Sequence, residues 1–133
     1  MSNITSLLGL TLQLVNVSAN STPLNIGLQG ITLPMTAYYY DNFFQAGITA
    51  TVVPLPGTTV WAAYVRNLGA NNVTVNYTPS GGASTSVVLT PITTGFGGVF
   101  LYYQTLETGG GGITAMSITA STAITPCEVF VGY

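Results

Sequence analysis

The strongest constraint on this chain is a period of two. In "LLGLTLQLVNV", residues 7–17, Leu8, Leu10, Leu12 and Leu14 alternate with Gly9, Thr11 and Gln13. A β-strand turns that alternation into one apolar and one polar face. The same beat returns in "VTVNYT", where Val73, Val75 and Tyr77 oppose Asn72, Thr74 and Asn76. Between the runs stand "NSTP", "PLPG", "GANN", "PSGG" and "TGGGG", all clusters of turn-forming residues. The pattern predicts an all-β protein of about 8–10 short strands with a turn roughly every 8 to 12 residues, as in an antiparallel β-sandwich of jelly-roll type. No window pairs a 3.6-residue period with helix caps, and β-branched and aromatic residues outnumber helix formers.

At 133 residues the chain suits one sandwich domain spanning 1–133 with a core of its own. Residues 1–22 are expected to form an N-terminal strand or arm that reaches a neighbouring subunit. Some strands read as apolar on both faces. In "VWAAYV" and "VFLYY", Trp61, Val65, Phe100 and Tyr102 stand opposite Val60, Tyr64, Val99, Leu101 and Tyr103. An outer sheet face in water should be polar, so such strands are central or covered by another subunit.

Charge narrows the function. The sequence holds one basic residue, Arg66, three acids, Asp41, Glu107 and Glu128, and no His, for a net charge of −2. Phosphate binding needs several cations, so nucleic acid is excluded as a partner, and so is docking on anionic lipid. No run approaches the roughly 20 apolar residues of a spanning helix. "MSNITSLLGL" lacks the basic start and long apolar stretch of a signal peptide, which sets aside a secreted barrel. Cys127 is the lone cysteine, expected as a small buried apolar residue. A free monomer so close to neutrality tends to associate, whereas a permanent subunit can bury Thr, Ser, Asn and Gln against neighbours without desolvating ions.

Catalysis lacks its parts. A Ser, Thr or Cys nucleophile has no His or Lys to act as base. Metal binding lacks His and clustered carboxylates. A two-carboxylate glycosidase would have to draw its pair from three scattered acids. No enzyme activity and no cofactor are expected. "TGGGGIT" has neither the Lys-Ser/Thr pair nor the helix of a phosphate loop, and reads as a hairpin with a close backbone approach. Asn-X-Ser/Thr triplets at Asn3, Asn16, Asn20, Asn72 and Asn76 are what a chain rich in these residues produces by chance. "AYYYDNFF" is the most site-like stretch. Tyr38, Tyr39, Tyr40, Asp41, Asn42 and Phe43 form either a patch for a host-surface glycan or an interface. Arg66 follows an apolar strand, and an unpaired buried charge costs several kcal/mol, roughly. It is therefore expected to pair with Glu128 or Glu107 as a structural clamp, within the subunit or between subunits.

From Tyr64 onward, "YVRNLGANNVTVNYTPSGG" and "GGVFLYYQTLETGGGGITAMSITASTAITPCEVFVGY" resemble small structural proteins of bacteriophage virions. The resemblance rests on the Arg66-Asn67 strand end and the Thr/Val strand from Val73 to Thr78. It continues in the Pro79–Gly82 turn, the Gly97–Tyr102 strand and the glycine hairpin from Gly109 to Ala115. It implies a β-sandwich that multimerises, a trimer being favoured, on the outer particle surface as a decoration, spike or fibre component. Its partners would be itself and other virion proteins, and its location a virion assembled in the host cytoplasm. The alternatives are a small jelly-roll coat protein forming the shell, an extracellular filament subunit, and a carbohydrate-binding module.

Overall fold

A computed structural model describes residues 4–14, 24–35, 37–95, 97–104 and 111–133. Among them the chain forms ten β-strands, one 3-10 turn at Ile92–Thr94 and no α-helix. Contacts group it into two compact units, Met1–Met35 and Thr36–Tyr133.

The first unit is a hairpin of β1 (Ile4–Leu14) and β2 (Leu24–Met35), paired antiparallel along its length. The part of the expected 1–22 arm that is described is thus a strand already paired within its own chain. Residues 1–3 and 15–23 lie outside the described residues.

The second unit is a sandwich of two four-stranded antiparallel sheets. Its strands are β3 (Tyr38–Ala46), β4 (Thr51–Val52), β5 (Ala62–Asn67), β6 (Val73–Pro79), β7 (Thr85–Leu89), β8 (Val99–Tyr103), β9 (Ile113–Ala120) and β10 (Thr125–Gly132). One sheet runs β3-β10-β5-β8 and the other β4-β9-β6-β7. The pairs β3·β10, β4·β9, β5·β8 and β6·β7 are nested about the Pro79–Gly82 turn. The ladders β10·β5 and β9·β6 then roll this long hairpin onto itself. First strand beside last, second beside second-last, in two four-stranded sheets, is the jelly roll that the turn spacing predicts.

Alternation decides what lies between the sheets. Val65 of β5, Val73 and Val75 of β6, Ile113 and Ile118 of β9, and Cys127, Val129 and Val131 of β10 are all fully buried. Most are β-branched, with few rotamers to lose in a strand. Tyr77 bridges the layers, its ring 5.1 Å from that of Phe100 and 6.0 Å from that of Tyr102. Val60 shares the parity of Tyr64 but is fully buried. It sits before β5 in a bridge to Ile113 of the opposite sheet, and this turns it into the core.

At one end of the sandwich, fully buried Asn67 organises the loops. Its Nδ2 donates to the carbonyls of Asn71 at 2.8 Å, Leu89 at 3.2 Å and Thr90 at 3.0 Å, and its Oδ1 accepts from Gly69 N at 2.9 Å. Gly97, at φ +73°, passes so close to the Asn67 carbonyl that a Cβ would collide with it. At the other end Gly112 is buried at φ +100°, where a Cβ would meet Val60 O at 2.8 Å. That is the close approach expected of the glycine run, on the part of it that is described.

Asn67→Ala removes the partner of three carbonyls at once. It should lower the unfolding free energy by about 2–4 kcal/mol in urea titration, since each unmet buried polar group costs about 1–3 kcal/mol. A change below about 0.5 kcal/mol would show that the loops hold without it.

Candidate functional site

The two outer faces differ in kind. On β4-β9-β6-β7 the outward positions include Thr74, Asn76, Thr78, Ser86, Ser117 and Thr119. They bond to one another, as in Ser86 Oγ to Asn76 Oδ1 at 2.7 Å. Beside them Asn76, Thr78, Ser84, Thr114 and Ser117 line an open cleft of about 550 Å³. With Val52 and Val88 exposed among them, and Val53, Leu55 and Met116 also lining the cleft, this face is uncharged and mixed, its hydroxyls and amides interleaved with aliphatic side chains.

The outer face of β3-β10-β5-β8 is aromatic and apolar. Tyr38, Tyr40 and Phe43 are 53%, 51% and 63% exposed, and Val99 and Leu101 are 48% and 39% exposed. Of the two strands read as apolar on both sides, β8 is an edge of this sheet and β5 lies inside it. The Tyr38 ring stacks on Phe130, centroids 6.1 Å apart. Soluble monomers rarely leave a contiguous apolar face to water, so this is the surface on which function is sought.

A polar belt crosses the middle of that face. Glu128 projects outward because its neighbours Cys127 and Val129 point into the core. Its Oε1 accepts from Tyr40 Oη at 3.0 Å and its Oε2 from Tyr64 Oη at 3.3 Å. Arg66 stands directly across from Glu128 in the β5·β10 register. It also hydrogen-bonds the Tyr64 hydroxyl, which therefore touches both charged groups. Burial, then the Glu128 charge, raises the pKa of Tyr64, against a lowering pull from Arg66. The hydrogen bond to Glu128 raises that of Tyr40.

The register brings Arg66 and Glu128 to one belt, while Glu107 lies outside the described residues. The tyrosine stretch is divided. Tyr38, Tyr40 and Phe43 join the exposed face, and Asn42 is exposed beside them. Tyr39 and Asp41 lie on the opposite side of the strand, Tyr39 packed against the core and Asp41 directly across from buried Val129. Tyr39 Oη donates to Asp41 Oδ2 at 3.2 Å, and Asp41 Oδ1 accepts from Phe43 N at 2.8 Å. Asp41 thus braces a bulge, since Cys127 pairs with Phe44 but Val129 with Asp41. The extra residue tips Phe43 outward. A run of adjacent residues in a strand cannot present one surface, which is why the six positions divide between two faces.

Sequence reading overlooked Tyr64 and Phe130 as members of this face, although Tyr64 shares its parity with Arg66 and Phe130 with Glu128. Among the described residues no group of three His, Cys, Asp or Glu is placed to hold a metal ion. Among them, too, no helix is long and apolar enough to cross a membrane. Comparisons with protein-family models, with curated proteins and with solved structures find no match.

Burial pushes the Cys127 thiol up from 9.0 to about 11. In the unfolded chain the thiol ionises first, so the folded state holds the extra proton between those values and stability falls as pH rises through them. The raised Tyr40 and Tyr64 values act in the same direction above pH 10.0. Urea midpoints should therefore decline from about pH 9 upward, and a thiol reagent should label Cys127 only as the fold opens. Rapid labelling of the native protein at neutral pH would contradict the buried thiol.

Proposed function

We propose that this chain is a structural subunit on the outer surface of a virus particle, a decoration, spike or fibre component that acts by self-assembly as a trimer or larger. The observation that carries the reading is the exposed aromatic face of β3-β10-β5-β8 in a protein with four charged residues. A jelly roll is compatible with viral shells and with lectins alike, so the fold by itself leaves function open. The face is more informative. Its rim of Tyr, Phe, Val and Leu supplies area that water disfavours. The central Arg66, Tyr64, Glu128 and Tyr40 belt supplies polar partners that fix orientation.

Several observations favour an external position over the alternatives. A shell lining would have to meet genome phosphates, and one arginine neutralises little. A filament that inserts β1 into a neighbour's sheet would first have to open the β1·β2 ladder. Carbohydrate binding is the second reading, favoured by the exposed Tyr38 and Phe130 stack beside Glu128, where rings could receive a sugar face.

In sedimentation velocity the full chain should run as a trimer or larger at micromolar concentration, and Leu101→Asp should lower that mass. An antibody against the recombinant protein should decorate intact particles released from cells that carry its gene. A monomer, or labelling only of broken particles, would overturn the reading. On a glycan array the second reading expects retention that is lost in Tyr40→Ala, with the melting temperature unchanged. Absence of retention removes it.

A further inference from the structure

The β1·β2 register sorts the hairpin into two unlike faces. Six cross-strand pairs share one face: Ile4 with Met35, Ser6 with Leu33, Leu8 with Ile31, Leu10 with Leu28, Leu12 with Ile26 and Leu14 with Leu24. A bulge between Leu8 and Leu10 keeps both halves in phase. Eleven of those twelve positions carry Ile, Leu or Met. The other face carries Thr5 with Pro34, Leu7 with Thr32, Thr11 with Gly27 and Gln13 with Asn25. A two-stranded hairpin is marginal in water unless its apolar face is covered. The jelly roll is complete without it, since all eight of its strands lie between Tyr38 and Gly132.

We infer that the apolar face of this hairpin is a homotypic joint, packing against the same hairpin of another copy of the chain. This rests on the reading of the chain as a self-assembling subunit, and it names the segment that joins and its partner. Area supports it. Covering eleven side chains of this size, at roughly 60–100 Å² each, removes about 700 Å² or more per copy. A stable interface takes about 800 Å² per partner. Charge supports it too. The first charged residue of the chain is Asp41, so the hairpin offers no ion to recognise a charged partner and none to repel its own copy. Sheets stacked face to face interdigitate such rows of Leu and Ile across a layer about 10 Å thick.

The test uses the full chain and sedimentation velocity from submicromolar to high micromolar concentration, with Trp61 fluorescence reporting that the sandwich is folded. Leu12→Asp with Ile26→Asp places two carboxylates at one cross-strand pair of the apolar face. Gln13→Asp with Asn25→Asp places two at the neighbouring pair of the other face, matching the cross-strand repulsion. The first double variant should weaken association at least about a hundredfold, as burying unpaired charges costs several kcal/mol, while the second retains the wild-type mass. A multimer that survives Leu12→Asp with Ile26→Asp but dissociates with Leu101→Asp overturns the hairpin joint and leaves self-assembly standing. Equal loss in both hairpin variants overturns the assignment to the apolar face. A monomeric wild type overturns self-assembly itself, and with it the joint. In that case a lower sandwich melting temperature in the first variant would identify the chain's own sandwich as the cover.

Discussion

The register between β5 and β10 is the constraint on which the rest of the sandwich depends. It joins the last strand of the roll to the third, so it converts a long folded-over hairpin into a closed two-layer structure. Val129 faces Val65 across that ladder with both fully buried, and Cys127 and Val131 continue the same inner row. A slip of one residue would turn Glu128 and Phe130 into the core and Val129 out to water. The penalty for burying that carboxylate makes the observed pairing strongly preferred over its neighbours. The same register sets Arg66 across from Glu128. Core formation and the polar belt are thus two consequences of one alignment.

Given that alignment, the two sheet exteriors follow from parity alone, yet they solve different problems. The β4-β9-β6-β7 exterior is mostly hydroxyls and amides with Val52 and Val88 exposed among them, and none of its four strands carries a charged residue. The β3-β10-β5-β8 exterior uses rings and aliphatic side chains around one charged belt. A patch of this kind in water is a standing free-energy cost, and covering it recovers about 25 cal/mol per Å². The belt resists random stacking, because any partner must leave Glu128 and Arg66 solvated or hydrogen-bonded. In the proposed assembly, apolar area supplies affinity and the few charges supply discrimination.

Much of the sandwich was legible because its strands alternate and its turns carry Gly, Pro and Asn. The alternating run "VTVNYT" lies within β6. Topology was not legible, since period two places a residue on a face but does not say which strand lies alongside. β4 is only two residues long. Only Thr51 and Val52 pair, and beyond them the chain leaves the sheet toward Pro54 and Pro56, which lack the ladder's donor. Asn67 was visible only as the end of a strand. Its role requires the carbonyls of Leu89 and Thr90, more than twenty residues away, to converge on it. The tyrosine stretch was read as one patch because composition ignores parity, and the bulge that brings Phe43 outward has no local signature beyond Asp41-Asn42.

The scarcity of charge ties these features together. A domain of ordinary composition keeps its monomers apart with net charge and guards its sheet edges with lysine. This chain has no lysine, and its single arginine lies on β5, an interior strand of its sheet. In the proposed assembly, what limits association is therefore geometry: which face another copy can reach, and whether the hydrogen bonds of that face can be met. In that proposal, neutral hydroxyl and amide groups lower the desolvation cost of contact, while the aromatic face and the inferred hairpin joint concentrate the gain at two places. Contacts made in the proposed assembly would depend little on salt, since few of its interactions are between ions.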